Sequence, residues 1–249
     1  MKVAILAGGL GSRMSEQSQI KPKALAEIGD DPIIWHIMQY YHQWGFNEFV
    51  IALGHLGTAI SDYFKRTGAA VPSEDPASQL WRKGPMEVTL VDTGLNTENG
   101  GRIKRLGPYL NGETFMLTWC DGLADVDLRK LIQFHKAHGR AATLTAVHPP
   151  GRFGRLAMEK DRIVAFDEKA VFEQEWINGA FFVLEPKVLD YIEGDNTQFE
   201  QDTLRRLAAE GELMGYRHAS FWQCMDTVKE QKALDAMWRN GSAPWKIWT

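Results

Sequence analysis

Three glycines, an arginine and a lysine near the start of the chain have the types and spacing of a phosphate cradle. They lie in Leu6-Ala7-Gly8-Gly9-Leu10-Gly11-Ser12-Arg13, which Lys21-Pro22-Lys23 closes. Glycines let main-chain N–H groups approach an anion closely and allow positive φ. Arg13 adds a planar fork for phosphate oxygens, and Lys23 a compact charge. The spacing is neither G-x-G-x-x-G nor G-x-x-x-x-G-K-[ST], so a dinucleotide fingerprint and a P-loop are both excluded. A candidate metal ligand comes later, where the apolar run Phe115-Met116-Leu117-Thr118-Trp119 leads into Cys120-Asp121-Gly122. A strand ending in Asp-Gly projects its carboxylate at the C-terminal edge of a sheet, where ligands of open α/β sheets sit. Between these two centres, Asn99-Gly100-Gly101-Arg102 repeats the glycine-pair-then-arginine pattern at the mouth of a predicted helix, which could receive polar groups of a ligand or be a plain helix start.

The elements that must position these residues are legible in outline. The apolar run before Gly8 reads as a buried strand, Pro32 to Trp44 as a helix stopped at Gly45, and Phe49 to Leu53 as a returning strand, which together make a β-α-β unit. Thr58 to Arg66 reads as a second helix. The stretch from Gly68 to Pro85, with its breakers and no periodicity, reads as a surface excursion or oligomer contact. Val88–Asp92 is a predicted strand, Leu128–His138 a helix capped by Asp127, and Thr143–Val147 a strand. After Pro149-Pro150, alternation over 155–159 and 163–167 predicts a hairpin, followed by a strand over 178–184; this segment suggests an acceptor-side lobe. Helices are predicted over 199–210 and 228–238, with Asp226 a plausible cap for the last. Trp238, Trp245 and Trp248 should be pinned against the body, because exposed tryptophans in a free tail are unexpected. His36 and His42 read as packing or surface residues, and His135 and His138 as solvated helix-end residues.

Composition narrows the classes. The chain has 249 residues, 44% hydrophobic and 24% charged, with a formal net charge of −4, which suits one globular domain and offers no bulk basic field for nucleic acid or an anionic membrane. Two cysteines, Cys120 and Cys224, are too few for a disulfide scaffold and point to a reduced cytoplasmic compartment. The first apolar run is only a strand long, so it reads as neither signal peptide nor membrane span.

The blocks Leu6 to Arg13, Lys21-Pro22-Lys23, Pro32 to Met38, Val88 to Gly94, Gly100 to Arg105, Asp121-Gly122, Pro149 to Gly154, Ile177-Asn178-Gly179, Phe221-Trp222-Gln223 and Met225-Asp226-Thr227 resemble those of the glucose-1-phosphate cytidylyltransferases, a branch of the sugar nucleotidyltransferases. The resemblance implies a Rossmann-like nucleotidyltransferase fold of α/β class: a mostly parallel central sheet flanked by helices, with a small β-rich acceptor-side lobe. It implies a single domain over 1–249, with about 1–148 as the nucleotide half and about 149–249 as the sugar-phosphate half. The implied activity is transfer from CTP to α-D-glucose 1-phosphate with Mg²⁺, in a homo-oligomer; the alternative keeps the fold and uses UTP, dTTP or another phosphorylated acceptor. By the same resemblance Leu6, Ala7, Gly8, Gly9, Gly11, Ser12, Arg13, Lys23, Thr97 and Arg102 hold nucleotide, with Arg13 and Lys23 catalytic. Asp121 and Asp226 bind the metal, and Gly154, Glu168, Lys169, Asn178 and Gly179 hold the sugar phosphate. The chain departs from that pattern at Ala170, where Pro is expected, and at Cys120 and Cys224, where Gly and Pro are expected. If the two carboxylates share a metal, both thiols lie near it; they read as small apolar filler or as oxidation-sensitive groups.

Overall fold

The structure is a computed structural model that describes residues 1–9, 21–73, 75–149, 155–167 and 175–248. Gly11, Ser12, Arg13, Gly154, Glu168 and Lys169 lie outside the described residues, so the roles read for them rest on the sequence.

Among the described residues nine strands form one sheet, in the order Leu213–His218, Ala142–Val147, Ile177–Leu184, Phe115–Trp119, Val3–Leu6, Glu48–Leu53, Met86–Asp92, Ser78–Lys83 and Ala69–Val71. The four central strands from Phe115–Trp119 to Met86–Asp92 are parallel neighbours. Only Ile177–Leu184 and Ser78–Lys83 run against the rest. The opening run is apolar at every position because both its faces are covered: Val3 and Ile5 belong to one core and Ala4 and Leu6 to another on the opposite face. Helices Ile33–Gln43, Gly57–Thr67 and Leu128–His138 bury residues in the first core, whereas Asn99–Leu106 and Arg205–Ala209 bury theirs in the second. No helix among the described residues is long and apolar enough to cross a membrane.

Two regions differ from the sequence expectation. The stretch 68–85 is part of the sheet: Ala69–Val71 and Ser78–Lys83 add two antiparallel strands at its edge, in register with Met86–Asp92. Its breakers sit in the turns, and the polar residues of Ser78–Lys83 are tolerated on a strand this close to the margin. The second half is also less separate than a lobe, because Ile177–Leu184 and Leu213–His218 join the central sheet. Outside that sheet, the hairpin of Arg155–Glu159 and Arg162–Asp167 forms a two-stranded sheet of its own, and Trp222–Cys224 pairs with Gly122–Ala124 of the first half. The helix expected over 199–210 is present, its first part, Phe199–Leu204, a π-helix and its second, Arg205–Ala209, an α-helix.

Candidate active site

Asp121 and Asp226 are 105 positions apart in sequence, and two ladders bring them together. Leu6 is in register with Trp119, so the chain leaves that strand toward Asp121 beside the opening glycines. Trp222–Cys224 then pairs antiparallel with Gly122–Ala124, and the Met225 N–H donates to the Asp121 carbonyl at 2.8 Å. Asp226 therefore emerges next to Asp121. The ammonium of Lys23, placed by a short 3₁₀ turn after Pro22, lies between them, 2.7 Å from Asp121 Oδ2 and 2.6 Å from Asp226 Oδ1. Burial disfavours this ammonium, but the attraction and hydrogen bonds of Asp121 and Asp226 outweigh burial and raise its pKa.

Asp226 is not the cap of the final helix. Thr227 is, in a capping box: its hydroxyl accepts from the Glu230 N–H and Glu230 Oε2 accepts from the Thr227 N–H. Glu230 Oε2 also accepts from the Asp226 N–H at 2.7 Å, which fixes the backbone carrying the Asp226 carboxylate. The sequence Thr227-Val228-Lys229-Glu230 carries the signal for this box, and Glu230 was missed as a supporting residue because Asp226 competed for the same role. Cys224, Asp226 and Glu230 present ligand atoms within 4.8 Å of one another.

Lys23, Asp121 and Asp226 form one wall of a cleft of ≈ 410 Å³. Its floor is Leu6, Ala7 and Gly9, and the facing wall is Leu95 to Asn99 with Arg102. That facing loop is built on Arg102, which is almost fully buried. Nη1 donates to the Leu53 carbonyl, Thr93 Oγ1 and the Gly94 carbonyl at 3.1, 2.7 and 2.7 Å, and Nη2 donates to the Leu95 carbonyl at 3.3 Å. Burial lowers its pKa, partly opposed by Glu98 and Asp92. The guanidinium needs Gly8 and Gly54 beneath it, since a Cβ at either would stand 2.6 or 2.3 Å from Nη1. Gly8 thus makes room for a side chain of the protein itself. Gly100 and Gly101 serve packing in the same way: their Cβ atoms would collide with the Thr197 carbonyl and Asp195, and the Gly100 N–H already donates to the Thr197 carbonyl. The helix mouth read as a polar receptor is therefore occupied by residues 195–197.

Residues 2–239 match the profile of the nucleotidyl transferase family. The chain is 45% identical over 256 aligned positions to the glucose-1-phosphate cytidylyltransferase of Salmonella typhi, covering all of both. The chain belongs to the nucleotidyl transferase family. Solved structures agree at the level of fold: HddC from Yersinia pseudotuberculosis complexed with GMP-PN superposes with a TM-score of 0.72 at 20% identity, covering 95% of this chain and 99% of that one. UTP-bound UGPase from Acinetobacter baumannii gives 0.69 at 14% identity, covering 95% and 92%.

Most sequence-predicted site residues within the described part of this transferase converge. Leu6, Ala7, Gly9, Lys23, Thr97, Arg102, Asp121 and Asp226 line the same cleft, and Gly8 lies under Arg102. Asn178 and Gly179 stand on the strand next to Phe115–Trp119. Of the thiols, Cys120 lines the cleft and Cys224 neighbours Asp226. Burial and then the Asp121 charge push the Cys120 thiol up to about 12. Members of this family generally use a divalent metal, and the donor set is compatible with one: Asp121 and Asp226 bring two carboxylates against the single ammonium of Lys23, which leaves one negative charge in excess, and carboxylate oxygens suit a hard cation.

Proposed function

We propose that this nucleotidyltransferase transfers the cytidylyl group of CTP to α-D-glucose 1-phosphate, giving CDP-glucose and pyrophosphate. The observation that carries the reading is the convergence of Lys23, Asp121 and Asp226 on one point of the glycine-floored cleft. The choice of CTP and glucose 1-phosphate is supported by full-length likeness to the Salmonella typhi enzyme of that name. The cofactor is Mg²⁺, held by Asp121 and Asp226; when bound it supplies positive charge to phosphate oxygens.

The chain's own residues then have two tasks, because in-line attack of a sugar-phosphate oxygen on the α-phosphorus needs two polyanions aligned and the moving charge stabilised. Main-chain groups of the opening loop, with Arg13, hold the triphosphate, and Lys23 neutralises it while keeping the two carboxylates together. Thr97 and the loop that Arg102 braces face the nucleoside. Lys169, Asn178 and Gly179, with Gly154 and Glu168, form the sugar-phosphate side contributed by about residues 149–249. The enzyme is a cytoplasmic homo-oligomer in this reading, which light scattering on the purified protein tests.

Pyrophosphate release with CTP, UTP and dTTP against a panel of sugar 1-phosphates tests the assignment. CTP with glucose 1-phosphate should give the highest kcat/KM, and EDTA should abolish it until Mg²⁺ is restored. A higher value for another pair would move the assignment to that pair.

A further inference from the structure

The strand that carries Asn178 and Gly179 is irregular at that point. Ala180 has φ +58°, a left-handed conformation that glycine adopts easily and alanine does not. The ladder with Ala142–Val147 breaks at the same place: Leu144 pairs with Phe182 and Ala146 with Asn178, so residues 179–181 stand opposite the single Thr145. The Thr145 hydroxyl is left buried without a hydrogen-bond partner. A strained residue and an orphaned polar atom both cost free energy, and they persist only where neighbouring contacts over-determine the conformation.

Two contacts do so. Asn178 Oδ1 accepts from the Ala180 N–H at 2.8 Å, inside the bulge. The Gly179 carbonyl, turned out of the ladder, accepts from the indole N–H of Trp222 at 2.8 Å. Trp222 belongs to the short strand whose other end is Cys224, two residues before Asp226, and its partner strand begins one residue after Asp121. Its indole nitrogen also passes 3.8 Å from where a Cβ of Gly122 would stand. One side chain therefore joins the strand pair that carries both carboxylates to the bulge of the neighbouring sheet.

We propose that Trp222 is a positioning residue for the sugar-phosphate side, its indole N–H holding the Gly179 carbonyl so that the bulge at 178–180 stays at a fixed offset from Asp121 and Asp226. The inference rests on the sugar-phosphate role proposed above for Asn178 and Gly179. It adds a chemical detail: with Asn178 Oδ1 engaged by an N–H, the amide NH₂ is the group the bulge offers, so it suits a hydroxyl or phosphate oxygen of the acceptor.

Trp222→Phe keeps a six-membered aromatic ring and removes the N–H donor together with the five-membered ring that carries it. In the full-length enzyme it should raise KM for glucose 1-phosphate by about 5- to 10-fold, the worth of one neutral hydrogen bond, while KM for CTP and kcat stay within about twofold. Adding Ala180→Gly to that variant should recover most of the loss, because glycine holds the left-handed conformation without the tether. Unchanged KM for the sugar phosphate, an equal rise in both KM values, a fall in kcat alone, or no recovery in the double variant overturns the proposal. If the unmodified enzyme does not turn over this substrate pair, the assigned reaction falls separately. Hydrogen exchange then judges the tether: faster exchange over 178–182 in Trp222→Phe sustains it, and unchanged exchange overturns it.

Discussion

Lys23 and His36 each tie the first forty residues to the C-terminal segment, and they are held in opposite charge states. Lys23 keeps its proton between Asp121 and Asp226, on the wall of an open cleft. His36 is fully buried. Its Nε2–H donates to the Ile28 carbonyl at 2.8 Å, and its Nδ1 accepts from the Trp245 indole N–H at 3.4 Å, so the ring is neutral. Trp35, Trp238 and Trp248 surround it, with ring centroids 5.1, 4.5 and 6.4 Å away. Burial lowers the His36 pKa against the weaker pull of Ile28 and Asp31. A cation between carboxylates beside solvent can be exchanged for another cation or a ligand's charge, whereas a neutral ring sealed by indoles can only lock. The two long-range ties thus divide chemistry from stability, and substitutions at one should leave the other's property intact.

The largest effect should come from breaking the lock. Trp245 is fully buried, stacks on Phe221 with centroids 5.6 Å apart and donates to His36. Trp245→Ala should lower unfolding free energy by about 3–5 kcal/mol in urea titrations, the range for large aromatic truncations, while turnover per folded molecule is preserved. A loss of turnover without loss of stability would reverse the division drawn here.

Next come Lys23→Ala and Asp226→Ala. Each should reduce kcat by about 10²-fold or more, as for removal of one preorganised electrostatic group, with circular dichroism and the unfolding midpoint little changed. Lys23→Arg should not restore the rate, because a planar fork cannot place one compact charge between two carboxylates. Near-normal turnover in any of these variants sinks the role assigned to the centre.

The contrast between the two ties also marks what the sequence could reveal. The opening strand, the Asp-Gly strand end, the Asp127-capped helix and the 155–167 hairpin each carry their own local pattern, and the structure keeps all four. The need to pin Trp238, Trp245 and Trp248 was readable from hydropathy, but their anchor at His36 was not, because a histidine on an apolar helix face looks the same whether it packs or caps a cage. His135 misled in the opposite direction. Read as solvated, it is buried between Thr143 and Glu185 at 2.8 and 3.0 Å, partners that lie beyond its own helix. The edge strands at 69–71 and 78–83 escaped notice because strand pairing is non-local and neither segment alternates apolar with polar residues. At the site, resemblance supplied Asp226, Asn178 and Gly179, whereas the Arg102 brace and the Trp222 tether depend on carbonyl directions that no residue pattern encodes.

A smaller effect tests the support of Asp226. Thr227→Ala removes one half of the capping box and should cost about 1 kcal/mol in stability. Because Glu230 Oε2 still accepts from the Asp226 N–H, the rate should fall far less than in Asp226→Ala. Comparable rate losses in the two would mean that the cap, rather than the carboxylate, governs the centre.

The smallest effect is acid loosening of the cage. The folded pKa of His36 lies below the unfolded value of 6.5, so its contribution is fully present above pH 6.5 and is lost as pH falls toward the folded value, where Nδ1 would gain a proton facing the Trp245 N–H. At pH 6 the loss should be under about 1 kcal/mol, because the unfolded-state ring is only partly protonated there. The lowered carboxylates, Asp127 and Asp235 among them, act only near and below their ordinary range close to 3.8, which separates them from this window. His138, also lowered, acts in the same window but is present in both proteins of the comparison. His36→Gln keeps a donor for the Ile28 carbonyl and removes the titration, so its stability should fall less than wild type between pH 8 and 6. Parallel pH dependences for the two proteins would remove the ring from the lock and leave the tryptophans alone to hold it.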